Sequence, residues 1–576
     1  MDTWVEEKEC WAEGSDANSE ARGRLDVDKR KLEALLGSKE EIRKNSLPPG
    51  EEDRVAIRSR LAKRRCKQSF MALEGGAQET PVEQAAAGPT RGEESWTVGA
   101  ALTPEEAEKM KAMLKQHRRA FAYTLKELGR SKIGKINIKL TSESPTFKRK
   151  WRMTRADEEC KELHEARLIR RSTSEYAAAT VVAARKDMTG VILSKRMCGN
   201  YRDLNKITKA NKYPMPTPED IFDQLVGATV FSTLNLRQGF NQIQIWEEDH
   251  PKTAFHSVDG LWEWNGMPFG MKNSSAVFQQ VMDTILRGID CAAYNIDDVV
   301  IFSRDGTSHV ADVERVLGAI MGAGLTCHPN KCKFGEGTVK YLGFEVSEGT
   351  LSIQEAKVAI LDKVAIPTNR SRLRAILGFL NYYRKFMPNF SKRASVLNQL
   401  LRESNAWKWG AQEDAALKDL LGAVTTGPVL VLPRRNQPFV LYTDWSSLGI
   451  GAVPCQETER EERVVAFASK SCSPTEANYS SYEGEGLAAL WAVNQFRVYL
   501  QKSPFTLVTD HQPLTWLMKN QTLTGRNARW TMRLQEYDFK IRHRPRKTLQ
   551  HVEGTTHPTT CYKGRNRFYQ WGLAKC

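Results

Sequence analysis

The stretch AAYNIDDVVIFS, residues 292–303, decides the fold. Two adjacent carboxylates, Asp297 and Asp298, interrupt a largely apolar run. The apolar flanks predict two short strands joined by a tight turn, with the acids at its tip. Asp suits turn geometry, so the pair taken alone reads as a simple turn more readily than as catalysis. Its surroundings must decide.

Outward from this run, short apolar segments alternate with long amphipathic ones from Leu102 to about residue 555, as in mixed α and β domains. Segments 180–184, 230–236, 341–346, 439–444, 450–453, 464–468 and 505–509 read as strands. Residues 156–167, 373–386 and 479–499 read as helices. Another is predicted from an N-cap at Thr103 through Pro104-Glu105-Glu106 to about Ala120. Residues 1–95 have a different texture. They are charge-rich, with a basic patch RSRLAKRRCK at 58–67 that suits nucleic acid, a nuclear address or a solvated segment.

The chain has 576 residues, enough for about three or four domains. Lys and Arg number 85 against 69 Asp and Glu, a net charge of +16. That excludes an acidic solvating chain and permits a polyanionic partner. The longest near-apolar run, 176–184, is far short of the roughly 20 residues that span a bilayer. Residues 1–10 are acidic and lack a secretory apolar core, so we expect no membrane and an intracellular setting, cytoplasmic or nuclear. None of the eleven cysteines forms a CxxC pair, and Cys327 and Cys332 have only His328 beside them, so reduced thiols and no zinc are expected.

Around the acids lie ordered blocks: RMCGNYRDLN (196–205), YPMP (213–216), GATVFSTLNLRQGFNQI (227–243), KTAF (252–255) and MPFGMKNSSAVFQ (267–279). KCKF (331–334), YLGFEVS (341–347) and LRAILGFLNYYRKFMPNFS (373–391) follow. In this order they resemble the reverse transcriptase of gypsy-type long-terminal-repeat retrotransposons. The resemblance implies a multi-domain α+β protein, a right-hand polymerase with fingers, palm and thumb. Its reaction is two-metal nucleotidyl transfer from a dNTP to a primer on its template, with Mg²⁺ and Mn²⁺ as a possible substitute. The family holds its metals with three Asp. Asp297 and Asp298 match two of them, and the FSTLNL block places Asn235 at the third. Losing one such electrostatic group commonly costs about 10² to 10³ in rate, so the resemblance predicts that polymerase activity is weakened or lost. Asn295, Gly199, Asn200 and Ser275 are further departures. By motif, Arg185, Arg196, Phe240, Phe269 and Gly270 fall at nucleotide-binding positions, with Phe240 as a steric gate under the sugar, and Gly343 falls in the primer grip.

A second series follows: PFVLYTDWSSLGIGAV (438–453), NYSSYEGEGLAAL (478–490), LVTDHQPLTWL (507–517) and ARWTMRLQEYDFKIRHRP (528–545). It resembles the RNase H part of the same elements, a mixed α/β domain that cuts RNA in RNA–DNA hybrids. The implied carboxylates are Asp444, Glu485, Asp510 and Glu553, the first three as metal ligands. Glu553 stands where the family has Asp. Gly484 and Gly486 replace good helix formers, each at about 1 kcal/mol. Trp445 replaces a small residue, and Pro454 replaces an apolar one at a predicted strand end.

The expected layout is an extension (1–95), a lead-in with a helix (96–147), fingers and palm (148–346), thumb and connection (347–404), an RNase H-like domain (405–555) and a basic tail (556–576). No D-S/T-G protease signature, CCHC knuckle or HHCC pattern is found, so a polymerase–RNase H portion of a Pol protein is expected. The partners implied are a template–primer or RNA–DNA hybrid and dNTP. The competing readings are an RNase H-only nuclease and a non-catalytic template–primer binding protein.

Overall fold

A computed structural model describes residues 96–149, 157–186, 192–361, 364–434, 437–457, 461–501, 503–509 and 525–543. The chain falls into two units, Met1–Met71 and Ala72–Cys576, and all described residues lie in the second. Asp510, Glu553, the extension 1–95 and the tail 556–576 lie outside the described residues.

The acid run forms the hairpin its pattern predicts. Strand Ala292–Asn295 pairs antiparallel with Asp298–Ser303, with Asn295 opposite Asp298, leaving Ile296 and Asp297 as the turn. On its other side, Asp298–Ser303 pairs antiparallel with Val230–Asn235, and Lys333–Glu336 closes the four-stranded sheet. Side chains alternate across a strand, and here both faces are covered. Leu234, Val299 and Ile301 enter one core with Met110, Phe278 and Leu317. Phe231, Ala293 and Val300 enter a second with Leu373, Leu380 and Phe386. Burial on both faces explains why the run is nearly continuously apolar.

The predicted first helix is present as Pro104–Gln116, with a capping box between Thr103 and Glu106. It ends before Ala120, where a 3₁₀ turn, Arg118–Ala120, takes over. Met110, Met113 and Leu114 bury its apolar stripe, and Glu106 also accepts from Thr307 Oγ1 at 2.9 Å. A five-stranded sheet stands apart, ordered Ile169–Arg171, Gly260–Trp264, Phe255–Ser257, Ala178–Lys186 and Ile192–Gly199.

Residues 341–346 correct the sequence reading. They are a hairpin rather than one strand. Thr338–Tyr341 turns at Leu342 (φ 48°) and Gly343 (φ 82°) into Phe344–Ser347. Two positive φ values in a row define a tight hairpin turn, for which Leu is an unfavourable occupant. The predicted helix 373–386 is observed as Arg370–Tyr382 followed by a 3₁₀ turn, Arg384–Phe386. Helices Ser395–Leu400 and Ala411–Thr425 share its core.

Beyond residue 437, strands Glu462–Val464, Gly449–Glu457, Phe439–Ser446, Phe505–Thr509 and Phe539–His543 form a mixed sheet in that order, with Ala468–Ser471 also on Gly449–Glu457. Helix Ser481–Gln495 buries Ala489, Ala492 and Val493 in the same core as Leu441 and Leu507. The predicted strand 464–468 is broken, because Phe467 N–H donates to Lys385 O at 2.9 Å instead of to the sheet. Pro454 lies inside a strand, not at its end. Its neighbour strand changes there, from Ala468 opposite Ala452 to Val464 opposite Cys455, so the missing N–H falls in the gap.

A buried hydrogen-bond chain fixes the central strands. His309, fully buried, bridges Ser232 Oγ (2.6 Å) and Ser303 Oγ (2.9 Å), one from each strand. Ser303 donates onward to Asp312 Oδ2 at 2.7 Å, and Gly335 N–H donates to Ser232 Oγ at 3.1 Å. Every donor is then used if His309 carries its proton on Nδ1. Burial pushes this imidazole down to about 4, against the pull of Asp312 and Asp305. An unfolded His titrates near 6.5, so the unfolded chain takes up the proton first as pH falls. Stability should therefore drop between about pH 6.5 and 4. Urea midpoints across that window should fall more steeply for the wild type than for His309→Gln; parallel profiles would contradict this assignment.

Candidate functional site

Strand register brings Asn235 directly opposite Asp298. Asn235 Nδ2 donates to Asp298 Oδ1 at 2.6 Å. Asp297 occupies the turn, and its backbone O accepts from Leu236 N–H at 3.0 Å. The three positions singled out in sequence thus share one end of the sheet. Burial raises the Asp298 carboxyl above its ordinary range, while the Asn235 amide and the Lys331 charge oppose that rise.

The turn itself is held by residues that sequence reasoning missed. Ile296 sits at φ 58°, unfavourable for a β-branched residue. Its N–H donates to Gln279 Oε1 at 2.9 Å, and Gln279 is 2% exposed on helix Ser274–Ile285. A glutamine on the buried side of an apolar helix, beside Phe278, was the available signal. Tyr341 Oη donates to Asp298 O at 2.8 Å from the neighbouring hairpin.

Phe240 lies on the one-turn helix Gly239–Gln242, its ring centroid 5.3 Å from Phe269 and 5.6 Å from Phe278. A Cβ on Gly239 would stand 3.3 Å from Asp297 Cβ, so this turn begins against the acid hairpin. Gly270 has φ 88°, and its O accepts from Asn205 Nδ2 at 2.8 Å. Lys272 N–H donates to Asn205 Oδ1 at 2.9 Å, so Asn205 pins this loop from both sides. Arg185 and Arg196 lie on the paired strands Ala178–Lys186 and Ile192–Gly199, opposite Ser194 and Ala183. Gly343 sits in its hairpin turn, in a different sheet from the one that carries Asn235.

In the second domain, Asp444 lies near the end of strand Phe439–Ser446 and is half-buried. Glu485, 5% exposed on helix Ser481–Gln495, accepts from Trp445 N–H at 3.2 Å and Thr509 Oγ1 at 3.5 Å. These bonds carry the Glu485 carboxylate to the backbone beside Asp444. One of the two glycines of this helix now has a steric reason. A Cβ on Gly484 would fall 2.2 Å from the Trp445 ring, whereas one on Gly486 would meet Trp530 at 3.4 Å. Trp445 and Gly484 are therefore complementary departures, a large ring seated on a bare backbone.

Among the described residues, no three His, Cys, Asp or Glu side chains gather as a cation site. The palm offers Asp297 and Asp298, with one oxygen of Asp298 already taken by an amide. Asp444 with Glu485 supplies two carboxylates of the second site.

Two family models match the chain: "Reverse transcriptase (RNA-dependent DNA polymerase)" over residues 186–346, and "RNase H-like domain found in reverse transcriptase" over 434–537. The chain is 33% identical over 449 residues to the Retrovirus-related Pol polyprotein from transposon 297 of Drosophila melanogaster, covering 76% of this chain and 42% of that protein. It is also 33% identical over 390 residues to the Transposon Tf2-3 polyprotein of Schizosaccharomyces pombe, covering 66% and 28%. The chain carries a reverse transcriptase domain and an RNase H-like domain, and it is similar to retrotransposon Pol polyproteins. It spans less than half the length of these Pol relatives. The fold of this chain matches the foamy viral protease-reverse transcriptase in complex with dsDNA (TM-score 0.67, 20% identity, 77% of this chain and 94% of that one). It also matches the same viral protein with an RNA/DNA hybrid (TM-score 0.64, 20% identity, 81% and 64%). Both families generally use divalent metals.

Two outcomes follow from the geometry. Asn235→Asp replaces a hydrogen bond with two facing carboxylates, and should cost about 1–3 kcal/mol of metal-free stability, regained on adding MgCl₂. Equal metal-free melting temperatures would contradict this. Gly484→Ala should cost about 1–3 kcal/mol by overpacking against Trp445, and become neutral or stabilising in a Trp445→Ala background. A double-mutant cycle by urea unfolding measures the coupling.

Proposed function

We propose that this chain is an RNA-directed DNA polymerase and ribonuclease H acting on template–primer duplexes and RNA–DNA hybrids, with its polymerase step attenuated by Asn235. The observation that carries this reading is the register pairing of Asn235 with Asp298 beside Asp297 and the Phe240–Phe269 pair. In this reading residues 148–346 are fingers and palm, 347–404 thumb and connection, and 405–555 the RNase H-like domain. The chain's basic balance suits a phosphate backbone, and the related viral protein is seen with dsDNA and with an RNA/DNA hybrid.

Asp297 and Asp298 would hold a divalent cation in the palm, and Asp444, Glu485 and Asp510, with Glu553 as the fourth acid of the pattern, would do so in the nuclease site. We assign Mg²⁺, with Mn²⁺ as a substitute. When bound, the cation supplies charge neutralisation at the reacting phosphate and a more acidic attacking oxygen. The protein's side chains do the rest. Phe240 would lie under the dNTP sugar, where a ring leaves no room for a 2′-hydroxyl. Phe269 and Gly270 would line the same pocket, Gly270 leaving its backbone open to close approach. Arg185 and Arg196 would meet the triphosphate, and Gly343 would sit at the primer end. Asn235 brings an amide where the family's pattern has a carboxylate. Its N–H engages Asp298 Oδ1, so a cation there would compete with a hydrogen bond for that oxygen and would gain one fewer negative charge. That bond specifically favours the second reading, in which the nuclease outlasts the polymerase.

Among the described residues, no helix is long and apolar enough to cross a membrane. We place the work of this protein inside the cell, cytoplasmic or nuclear, where element RNA is available.

Primer extension on an end-labelled RNA template with a DNA primer tests both sites on one gel. The wild type should cut the RNA strand, and Glu485→Gln should abolish the cut. Extension should be slow and rise about 10² to 10³-fold in Asn235→Asp. A wild type that neither cuts nor extends would overturn the proposal.

A further inference from the structure

The thumb helix reaches the hairpin that carries Gly343 through two consecutive tyrosines. Tyr382 Oη donates to Leu342 O at 2.8 Å, although the Tyr382 side chain is 43% exposed. Tyr383, 2% exposed, places its Oη 3.5 Å from Gly343 O. A Cβ on Gly343 would stand 2.8 Å from that hydroxyl, so residue 343 is glycine for two reasons, its φ and this approach. The Phe344 ring packs against both tyrosines at 5.2 and 5.3 Å. Gln354, buried, donates through Nε2 to Phe344 O at 3.0 Å. On the far side of the turn, Tyr341 Oη donates to the backbone O of Asp298.

These contacts form one continuous path: the thumb helix Arg370–Tyr382 and Tyr383, the Leu342–Gly343 turn, Tyr341, Asp298. Leu342 gives the path its purpose. A leucine at φ 48° does not favour this turn by itself, so the conformation needs a hold from outside. A hydroxyl donating to the strained residue's own carbonyl is such a hold.

We propose that Tyr382 and Tyr383 are positioning residues that clamp the Leu342–Gly343 turn, and that Tyr341 sets the clamped turn at a fixed distance from the acid hairpin. The inference rests on the reading that this turn faces the primer end. Through the clamp, thumb position and primer-end placement become one variable. The tyrosines act through the turn and touch no reacting atom.

The experiment uses the full chain bound to an RNA template–DNA primer duplex in CaCl₂, with hydroxyl-radical footprinting of the primer and fluorescence anisotropy for overall affinity. The wild type should protect the terminal primer nucleotide. Tyr382→Phe removes one hydroxyl and should reduce that protection about 3–10-fold, the loss of one hydrogen bond, with overall affinity within about twofold. Leu342→Asn relaxes the turn, because Asn tolerates positive φ, and should restore protection in the Tyr382→Phe background. Unchanged protection in Tyr382→Phe, beside a protecting wild type, would overturn the clamp. So would a loss spread over the whole footprint, or a failure of Leu342→Asn to rescue. A wild type that binds the duplex but leaves the primer end open would overturn the primer-grip reading, and the clamp's role with it.

Discussion

The antiparallel register between Val230–Asn235 and Asp298–Ser303 is the constraint on which the rest depends. Slipping it by one residue would exchange the two faces, sending Val299 and Ile301 into the core built for Val300. Both cores would be lost, so the register is strongly specified. The same register places Asn235 opposite Asp298 and Ser232 near Ser303, which His309 bridges from helix Gly306–Gly322. Packing thus fixes the chemistry: the side chains at the sheet end meet because the apolar ones behind them cannot be elsewhere.

At that end, the polar groups are bound to each other. The Asn235 amide engages Asp298, Gln279 engages the strained Ile296, and Tyr341 engages the Asp298 backbone. Such a network makes the hairpin stable without a metal, whereas a third carboxylate at residue 235 would make it repulsive until a metal arrived. In the proposed reading, stability and cation affinity are traded at one side chain. The second domain shows the same logic in packing. Trp445 and Gly484 each look unfavourable singly, and together they form a filled contact beside Glu485.

Much of this was legible in the sequence because the signals were periodic. The run 292–303 has apolar flanks of strand length around turn-forming residues, and the helix after Thr103 carries its cap in plain order. What escaped depends on partners distant in the chain. Leu342 gives no sign that it will adopt a left-handed conformation, since Tyr382, 40 residues on, stabilises it. Val464 to Ala468 has strand propensity, but Phe467 bonds to Lys385 in another layer. Pro454 reads as a strand breaker until the handover between its neighbour strands is seen. Asn235, Asp297 and Asp298 could be named from motifs. That Asn235 would bond to Asp298, rather than only replace a ligand, required the register.

The central claim is that the Asn235 amide occupies the Asp298 carboxylate and weakens cation binding in the palm. It is tested most directly by Mn²⁺ titration followed by electron paramagnetic resonance. Glu485→Gln protein, which lacks one carboxylate of the proposed nuclease site, would be compared with the same protein carrying Asn235→Asp. The account predicts an added or tightened site in the second protein, by about tenfold or more in affinity, as expected for replacing an amide donor with a charged ligand. Superimposable isotherms would contradict it.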